Sequence, residues 1–273
     1  MDEWILLEKI KKYILSYNNP YNMVKRESFM VEQKISAGSY ELNKFLFGGY
    51  ETDIITTIYG PGGSGKTNLC LLVAVSQAKK GNKVIYVDTE GGFSSDRVFQ
   101  LLDNKDELLD ETLKNIMILK PTSFEEQEEA FEQLLKFVKS GGISLIIIDS
   151  IAMLYRLELG DAIKTEDGEN IREVNSKLAN QLRILTEISR KQNIPVIVTN
   201  QVYSRFVKGE NEQKEQQVSM VGGDLLKYWS KCIMEVQNYR GRRILKLRKH
   251  RSLPEKELEF EIVNLGIRKR GWI

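Results

Sequence analysis

One histidine, His250, and two cysteines, Cys70 and Cys232, stand in a chain of 273 residues. A single imidazole excludes a histidine dyad and a histidine-built metal centre. Two distant thiols without a second pair exclude a disulfide framework and a cysteine-rich zinc site, and they suit a reducing compartment. No apolar run approaches the ~18 residues that a membrane span requires. The N-terminal stretch MDEWILLEKIKK carries acids early and has no small-residue cleavage site, so it does not read as a secretory signal. Internal repeats and low-complexity tracts are absent as well. The expectation is a soluble, cytoplasmic protein with no membrane partner.

Charge of one sign is scarce only locally. The formal net charge is +2, but acids crowd the stretch from Asp103 to Glu132, whereas RGRRILKLRKHR, from Arg240 to Arg251, contains none. The tail GIRKRGWI repeats the basic bias. Such a stretch suits an anionic partner, and it equally suits a solvated strand edge guarded by cations.

The length fits one large α/β domain, or one domain with a small appendage. Residues 1–34 read as an N-terminal helical appendage: WILLEKIKKYIL sets Trp4, Leu7, Ile10 and Ile14 at helical spacing, and SYNNPYN ends the helix. Met30 is an alternative start. From residue 35 to 273, strands alternate with helices. DIITTIYG, KVIYVDTE, ISLIIIDS and IPVIVTNQV read as buried strands. KTNLCLLVAVSQAKKG reads as a helix closed by Gly81. SFEEQEEAFEQLLKFVKSGG reads as a helix burying Phe124, Phe131, Leu134, Leu135 and Val138, with its acids solvated. A long helix over 169–192 turns Val174, Leu178, Leu182, Leu185 and Ile188 inward. After Gly222 the texture changes to KCIMEVQ, RRILKLRKH and KELEFEIVN, short strands with turns. The fold class is α/β, a doubly wound, mostly parallel sheet with β additions at its C-terminal end.

The chemistry centres on GPGGSGKT, Gly60 to Thr67, which matches G-x-x-x-x-G-K-S/T between a strand and a helix. Gly60, Pro61, Gly62, Gly63, Ser64, Gly65, Lys66, Thr67 and Asn68 are the candidate residues for ATP. The glycines let backbone N–H groups converge on phosphate oxygens at a helix N-terminus. Lys66 is placed for the β- and γ-phosphates, and Thr67 for Mg²⁺. Asp149, at the tip of LIIID, sits where α/β sheets bind ligands and is the second Mg²⁺ residue. Glu90, in YVDTEGGF, is the expected carboxylate for the attacking water. Asp88 is the rival, but strand alternation and the GG turn favour Glu90 as the exposed one. Gln201, ending VTNQV, suits a γ-phosphate sensor. The polar segment that follows, through 203–221, reads as a long loop of the functional or disordered kind, hence as a switch. Lys246 and Arg248 lie two apart on a strand and share a face. They can serve as cationic fingers to a neighbouring protomer's nucleotide, or as plain surface charge.

ISAGSYELNKFLFGGYETDIITTIYGPGGSGKTN, YVDTEGGF, LIIIDS, VTNQV and RRILKLRKHRSLPEKELEFEIVNLGI together resemble the RecA-like recombinases of archaea, the RadA group and its shorter paralogues, the RadB group. The resemblance covers residues 35–267. The paralogues are the closer fit, because 34 residues cannot build the DNA-binding domain that RadA-like proteins carry ahead of the core. The resemblance implies a RecA-like P-loop ATPase core using ATP and Mg²⁺. It further implies an accessory protein in DNA recombination and repair, with weak ATPase activity, that binds DNA, single-stranded above all, and assists a RadA-type recombinase. It sets Arg97 where the family stacks a side chain on adenine. It also sets the segment after Gln201 where the family contacts single-stranded DNA, here with Arg205, Lys208 and Lys214 beside Tyr203 and Phe206. With Arg242, Arg243, Lys246, Arg248, Lys249 and Arg251 of the basic run, Arg205 and Lys208 form the expected DNA-binding set. Two departures stand out. FMVE at Phe29 lacks the alanine of the family's Phe-x-x-Ala polymerisation motif, and KHR stands where the recombinases read D-S-P near the nucleotide cap. Homo-oligomerisation is therefore left open. Two other readings remain: a non-hydrolysing, ATP-switched mediator acting through protein partners, and a KaiC-like ATPase.

Overall fold

The computed structural model describes residues 34–165, 168–208 and 214–271, with the backbone alone for 203–208 and 214–219. The chain divides into two units, residues 1–33 and 34–273. The expected N-terminal helix, Phe29 and Met30 fall in the first unit, outside the described residues.

The described unit opens with β1 (Lys34–Ile35), paired antiparallel with β2 (Tyr50–Glu51) around the short helix α1 (Tyr40–Phe45). There follow β3 (Ile55–Gly60), α2 (Lys66–Ala78), β4 (Lys83–Asp88), α3 (Ser95–Leu101), α4 (Asp106–Lys114), β5 (Ile116–Leu119) and α5 (Phe124–Ser140). Next come β6 (Ile143–Asp149), α6 (Met153–Lys164), α7 (Gly168–Gln192), β7 (Val196–Lys208), β8 (Lys214–Met220) and α8 (Gly223–Trp229). The chain closes with β9 (Cys232–Tyr239), β10 (Arg242–His250), β11 (Lys256–Val263) and β12 (Gly266–Lys269). The sheet order is β12-β11-β10-β9-β3-β7-β6-β4-β5, with β8 added on β7. From β9 to β5 every neighbouring pair is parallel, and β10, β11 and β12 follow as an antiparallel meander.

Why the sheet is covered on both faces is visible in β6. Leu145 and Ile147 join one core cluster with Tyr86, Met234 and the apolar residues of α2. Ile146 and Ile148 join the other, with Phe131, Leu134, Leu178, Leu182 and Leu185 of α5 and α7. Successive strand residues point to opposite faces, so an unbroken apolar run requires helices on both. The inward sets expected for α5 and α7 are buried, except Leu135, which is half-buried. Helix α2 is buried nearly all round because it lies on the sheet beneath α3 and α4.

Two sequence expectations change. KCIMEVQ, read as part of the C-terminal additions, becomes β9 and pairs parallel with β3, Thr56 opposite Cys232. Its near-continuous apolar residues are buried with the main core. The segment after Gln201, read as a long loop, is a β-hairpin. β7 runs on to Lys208 and β8 returns antiparallel, from Val202↔Met220 to Lys208↔Lys214. The β-branched and aromatic residues Val202, Tyr203, Phe206 and Val207 favour the extended ladder, and the polar composition concealed it.

Candidate functional site

The phosphate-loop sequence leaves the C-terminal end of β3, where Gly60 lies opposite Gln201 of β7. A Cβ at Gly60 would meet the Val236 carbonyl oxygen at 2.2 Å, so this glycine is required by the approach of β9. Gly63 and Gly65 have φ of 68° and 112°, in the left-handed region that glycine adopts at little cost. Above Gly62 and Gly63 a Cβ would meet nothing within 4 Å. No side chain caps the N-terminus of α2, which leaves its first N–H groups free to meet an anion. A cavity of about 160 Å³ lies here, floored by this loop and walled by Glu90, Arg243 and Ile262.

The Lys66 ammonium is buried and donates to the carbonyls of Gly60 and Pro61, both at 3.0 Å. Burial lowers its pKa, and the carboxylates of Glu90 and Asp149 pull the other way. Asp149, buried at the tip of β6, accepts hydrogen bonds from the hydroxyls of Tyr86, at 2.8 Å, and Thr199. Both of its oxygens are thereby fixed. The Tyr86 hydroxyl is held protonated far above its ordinary range by burial, then by the neighbouring Asp149 charge.

The two acids of YVDTEGGF separate cleanly. Asp88, opposite Asp149 in the sheet register, turns into its own loop and accepts from the N–H groups of Gly92 and Phe93, both at 3.0 Å. Glu90 is exposed, and its Oε1 accepts from the Gln201 side-chain amide at 2.9 Å. The Thr89 hydroxyl fixes the turn between them by donating to the Ser150 carbonyl and accepting from the Ser150 N–H, each at 2.8 Å. Gln201 in turn sits at the base of the hairpin: its carbonyl accepts from Val221 N–H at 3.3 Å, and the Asn200 amide donates to the Val221 carbonyl at 2.7 Å. A larger cavity, about 360 Å³, borders Gln201 between α6 and the hairpin base and includes Arg156 and Asn200 in its wall. The smaller cavity is the candidate phosphate site because of its loop chemistry, not its size.

Three features test the fit of a nucleotide and a divalent ion. The Ser64 hydroxyl is buried without a hydrogen-bond partner among the described residues. The loop leaves open space over its glycines. Among the described residues there is no cluster of three or more metal-ligating side chains. A hydroxyl and a single carboxylate suit Mg²⁺, which keeps waters and takes phosphate oxygens as ligands. The residues present fit both groups.

Arg97, on α3, donates to Asn68 Oδ1 at 2.9 Å, to Gln100 Oε1 at 2.8 Å and to the carbonyls of Val263 and Asn264 at 2.8 and 3.0 Å. Its guanidinium thus pins the β11–β12 turn beside Asn68, at the edge of the loop.

The basic run is far less free than its sequence suggests. Arg242 pairs with Glu259 at 2.9 Å, Lys246 with Glu257 at 2.7 Å and Arg248 with Glu235 at 2.6 Å. Lys249 donates to the Lys227 carbonyl at 2.6 Å. Arg251 forks onto Asp53 at 2.7 Å and reaches Glu51 at 2.8 Å. Its neighbour His250 accepts from the N–H groups of Ser252 and Leu253, and burial lowers the imidazole pKa. Arg243 departs from the expected DNA face altogether: its Nε donates to the Ser64 carbonyl at 3.2 Å, inside the phosphate-loop cavity. Arg205 and Lys208 lie on the outer part of β7, in the hairpin.

Sequence reasoning overlooked Tyr86, Thr199, Gly92 and Ile262. A Cβ on Gly92 would lie 3.2 Å from Thr67 Cγ2 and 3.3 Å from its hydroxyl. The doubled glycine after Glu90 was the available signal for that approach.

A family model described as Rad51 matches residues 26–270. A DNA repair and recombination protein RadB of Methanococcus maripaludis is 42% identical over 227 residues, 83% of this chain and 96% of that protein. Proteins of the same name from Methanocaldococcus jannaschii and Methanosphaera stadtmanae are each 39% identical, over 226 and 232 residues. These alignments cover 83% of this chain in both cases, and 98% and 92% of the respective relatives.

Proposed function

The chain belongs to the Rad51 family, and on that premise we propose that it is an ATP- and DNA-binding accessory protein of recombination and repair. It assists a RadA-type recombinase and turns ATP over slowly. The observation that carries this reading is the Glu90–Gln201 hydrogen bond beside the phosphate-loop cavity. It joins the candidate water-orienting carboxylate to the candidate γ-phosphate sensor and, through Gln201, to the base of the hairpin.

In this reading the free N–H groups of the loop and of α2 bind the phosphates, and Lys66 leaves its two loop carbonyls to meet them. Thr67 and Asp149 hold Mg²⁺, whose charge offsets that of the phosphates. Tyr86 and Thr199 keep the Asp149 carboxylate oriented. Glu90, exposed and held by the Gln201 amide, orients the water. Gln201 exchanges its bond to Glu90 for one to phosphate, and that exchange moves the hairpin. DNA contact is assigned to the hairpin of β7 and β8, with Arg205 and Lys208, in preference to the basic run, whose cations already hold carboxylates or carbonyls.

The test is nucleotide binding by the wild-type chain and by Lys66→Ala, with single-stranded DNA anisotropy across a salt series, with and without ATP–Mg²⁺. Loss of nucleotide binding in Lys66→Ala, and DNA binding modulated by ATP, support the reading. Unchanged nucleotide affinity in Lys66→Ala defeats it. A second reading, a non-hydrolysing mediator switched by ATP, draws on the same Gln201 bond, because the amide occupies the carboxylate that hydrolysis needs. DNA-independent, negligible turnover together with ATP-modulated recombinase binding favours that alternative.

A further inference from the structure

The cations of the basic run were expected on one DNA-binding face, yet they divide by partner. Arg242, Lys246, Arg248 and Arg251 each hold a carboxylate supplied by a neighbouring segment. Arg243 holds none among the described residues. It comes instead from the start of β10, beside the β9–β10 turn, to the phosphate loop, far away in sequence, where its Nε donates to the Ser64 carbonyl. A Cβ on Gly65 would lie 3.7 Å from both Arg243 Cδ and Nε, and 2.9 Å from Ile262 Cδ1. Strands β10 and β11 therefore roof the cradle from within the same chain.

We propose that Arg243 is a phosphate-binding residue of the nucleotide site, engaging the phosphates that ATP and ADP share. A guanidinium carries five N–H donors in a planar fork suited to phosphate oxygens. Only Nε is taken by the loop, and no protein partner holds the other four among the described residues. A half-buried cation with no carboxylate, walling a cavity built to receive an anion, takes its counter-charge from that anion. Glu90 shares this cavity's wall and is held by Gln201, whereas Arg243 lies against the loop itself, at the Ser64 carbonyl and over Gly65, and adjoins the Val263 turn that Arg97 pins. That contact with the loop assigns Arg243 to the phosphates retained after hydrolysis, and leaves the sensor role to Gln201. The inference rests on the nucleotide-binding reading above.

The experiment is equilibrium binding of fluorescent ATP and ADP analogues, with Mg²⁺, to the full chain, R243Q, R243K and R268Q. Arg268 lies on the adjoining hairpin strand β12, pairs with Glu261 and serves as a control for lost charge. R243Q is expected to weaken both analogues by about tenfold, the worth of one charge-assisted hydrogen-bonding contact. R243K, which keeps the charge but not the fork, falls between R243Q and wild type, and R268Q binds as wild type. Thermal melting without nucleotide identifies any loss due to unfolding, and if R243Q fails to fold, R243K carries the comparison. Wild-type affinity in R243Q overturns the proposal, as does a loss confined to ATP. If Lys66→Ala also binds as wild type, the nucleotide-site reading itself has failed, which is a separate outcome.

Discussion

The Gln201 amide and the Glu90 carboxylate meet at 2.9 Å across the tip of β6, because β7 and β4 are not neighbours in the sheet. Gln201 also accepts from Val221 N–H at the root of the hairpin, so one residue touches both the candidate catalytic acid and the candidate DNA element. Gln201→Ala is therefore expected to uncouple them. The difference in single-stranded DNA affinity with and without ATP–Mg²⁺ should shrink toward zero, while nucleotide affinity stays within about twofold of wild type. Anisotropy titrations measure both, and a preserved ATP effect on DNA affinity removes Gln201 from the switch.

Glu90→Gln keeps the side chain's size and its capacity to pair with Gln201, but removes the carboxylate that orients or deprotonates water. Turnover should fall by about 10² or more, the usual worth of a positioned general base, with nucleotide affinity little changed. Asp88→Asn acts differently. It weakens the acceptor for the N–H groups of Gly92 and Phe93, so its effect falls on melting temperature and nucleotide affinity together. Turnover in Glu90→Gln equal to wild type would return the catalytic role to Asp88 or to neither.

Gly92→Ala tests how closely the second turn presses on the loop. Its methyl would sit 3.2–3.3 Å from the Thr67 side chain, tighter than ordinary van der Waals contact, and would displace the hydroxyl assigned to Mg²⁺. The expected result is a raised Mg²⁺ requirement for nucleotide binding with a fold that melts near wild type. Equal Mg²⁺ titration curves for the two proteins would show that the Thr67 hydroxyl can shift without cost, or that it is not a ligand.

What could be read in the sequence was whatever a short stretch encodes by itself. The phosphate loop, Asp149, Glu90 and Gln201 each sit at the end of an apolar run, and parallel strands bring all such ends to one edge of the sheet. What could not be read was pairing between strands. RGRRILKLRKHR has no acid within it, yet Lys246 lies opposite Glu235 of β9 and Glu257 of β11 in the ladder. The neutralising charges are separated from it in sequence and adjacent only in register. The same limit concealed the parallel partner of β9 and the passage of Arg243 to the loop.

That pairing makes its own prediction for DNA. Exposed ion pairs of this kind contribute little to stability because solvent screens them, so Arg242→Ala or Arg248→Ala should leave the fold intact. If these cations stay with Glu259 and Glu235, neither substitution changes the salt dependence of single-stranded DNA binding. If they release their carboxylates to meet phosphate, each substitution lowers the slope of log K against log salt by about 0.7. We expect the first result, and a slope set by the hairpin.

Alkaline pH should destabilise the protein through groups buried in their neutral forms. Burial pushes the Cys232 thiol from about 9 up to about 12, and it raises Cys70, Tyr50 and Tyr86 well above their ordinary values. A raised pKa means that the folded state keeps its proton where the unfolded chain has lost it. Each group's contribution is therefore fully present below the unfolded pKa and drains away as pH climbs toward the folded one. For Cys232 the window runs from about 9 to about 12, at up to about 1.4 kcal/mol per pH unit. Between pH 9 and 10.5 that thiol alone removes about 2 kcal/mol. Denaturant unfolding at a series of pH values measures the slope. Cys232→Ala lowers stability at pH 7 through lost packing, but it should flatten the decline above pH 9. An undiminished decline in both Cys232→Ala and Cys70→Ala would mean that the thiols ionise without opening the fold.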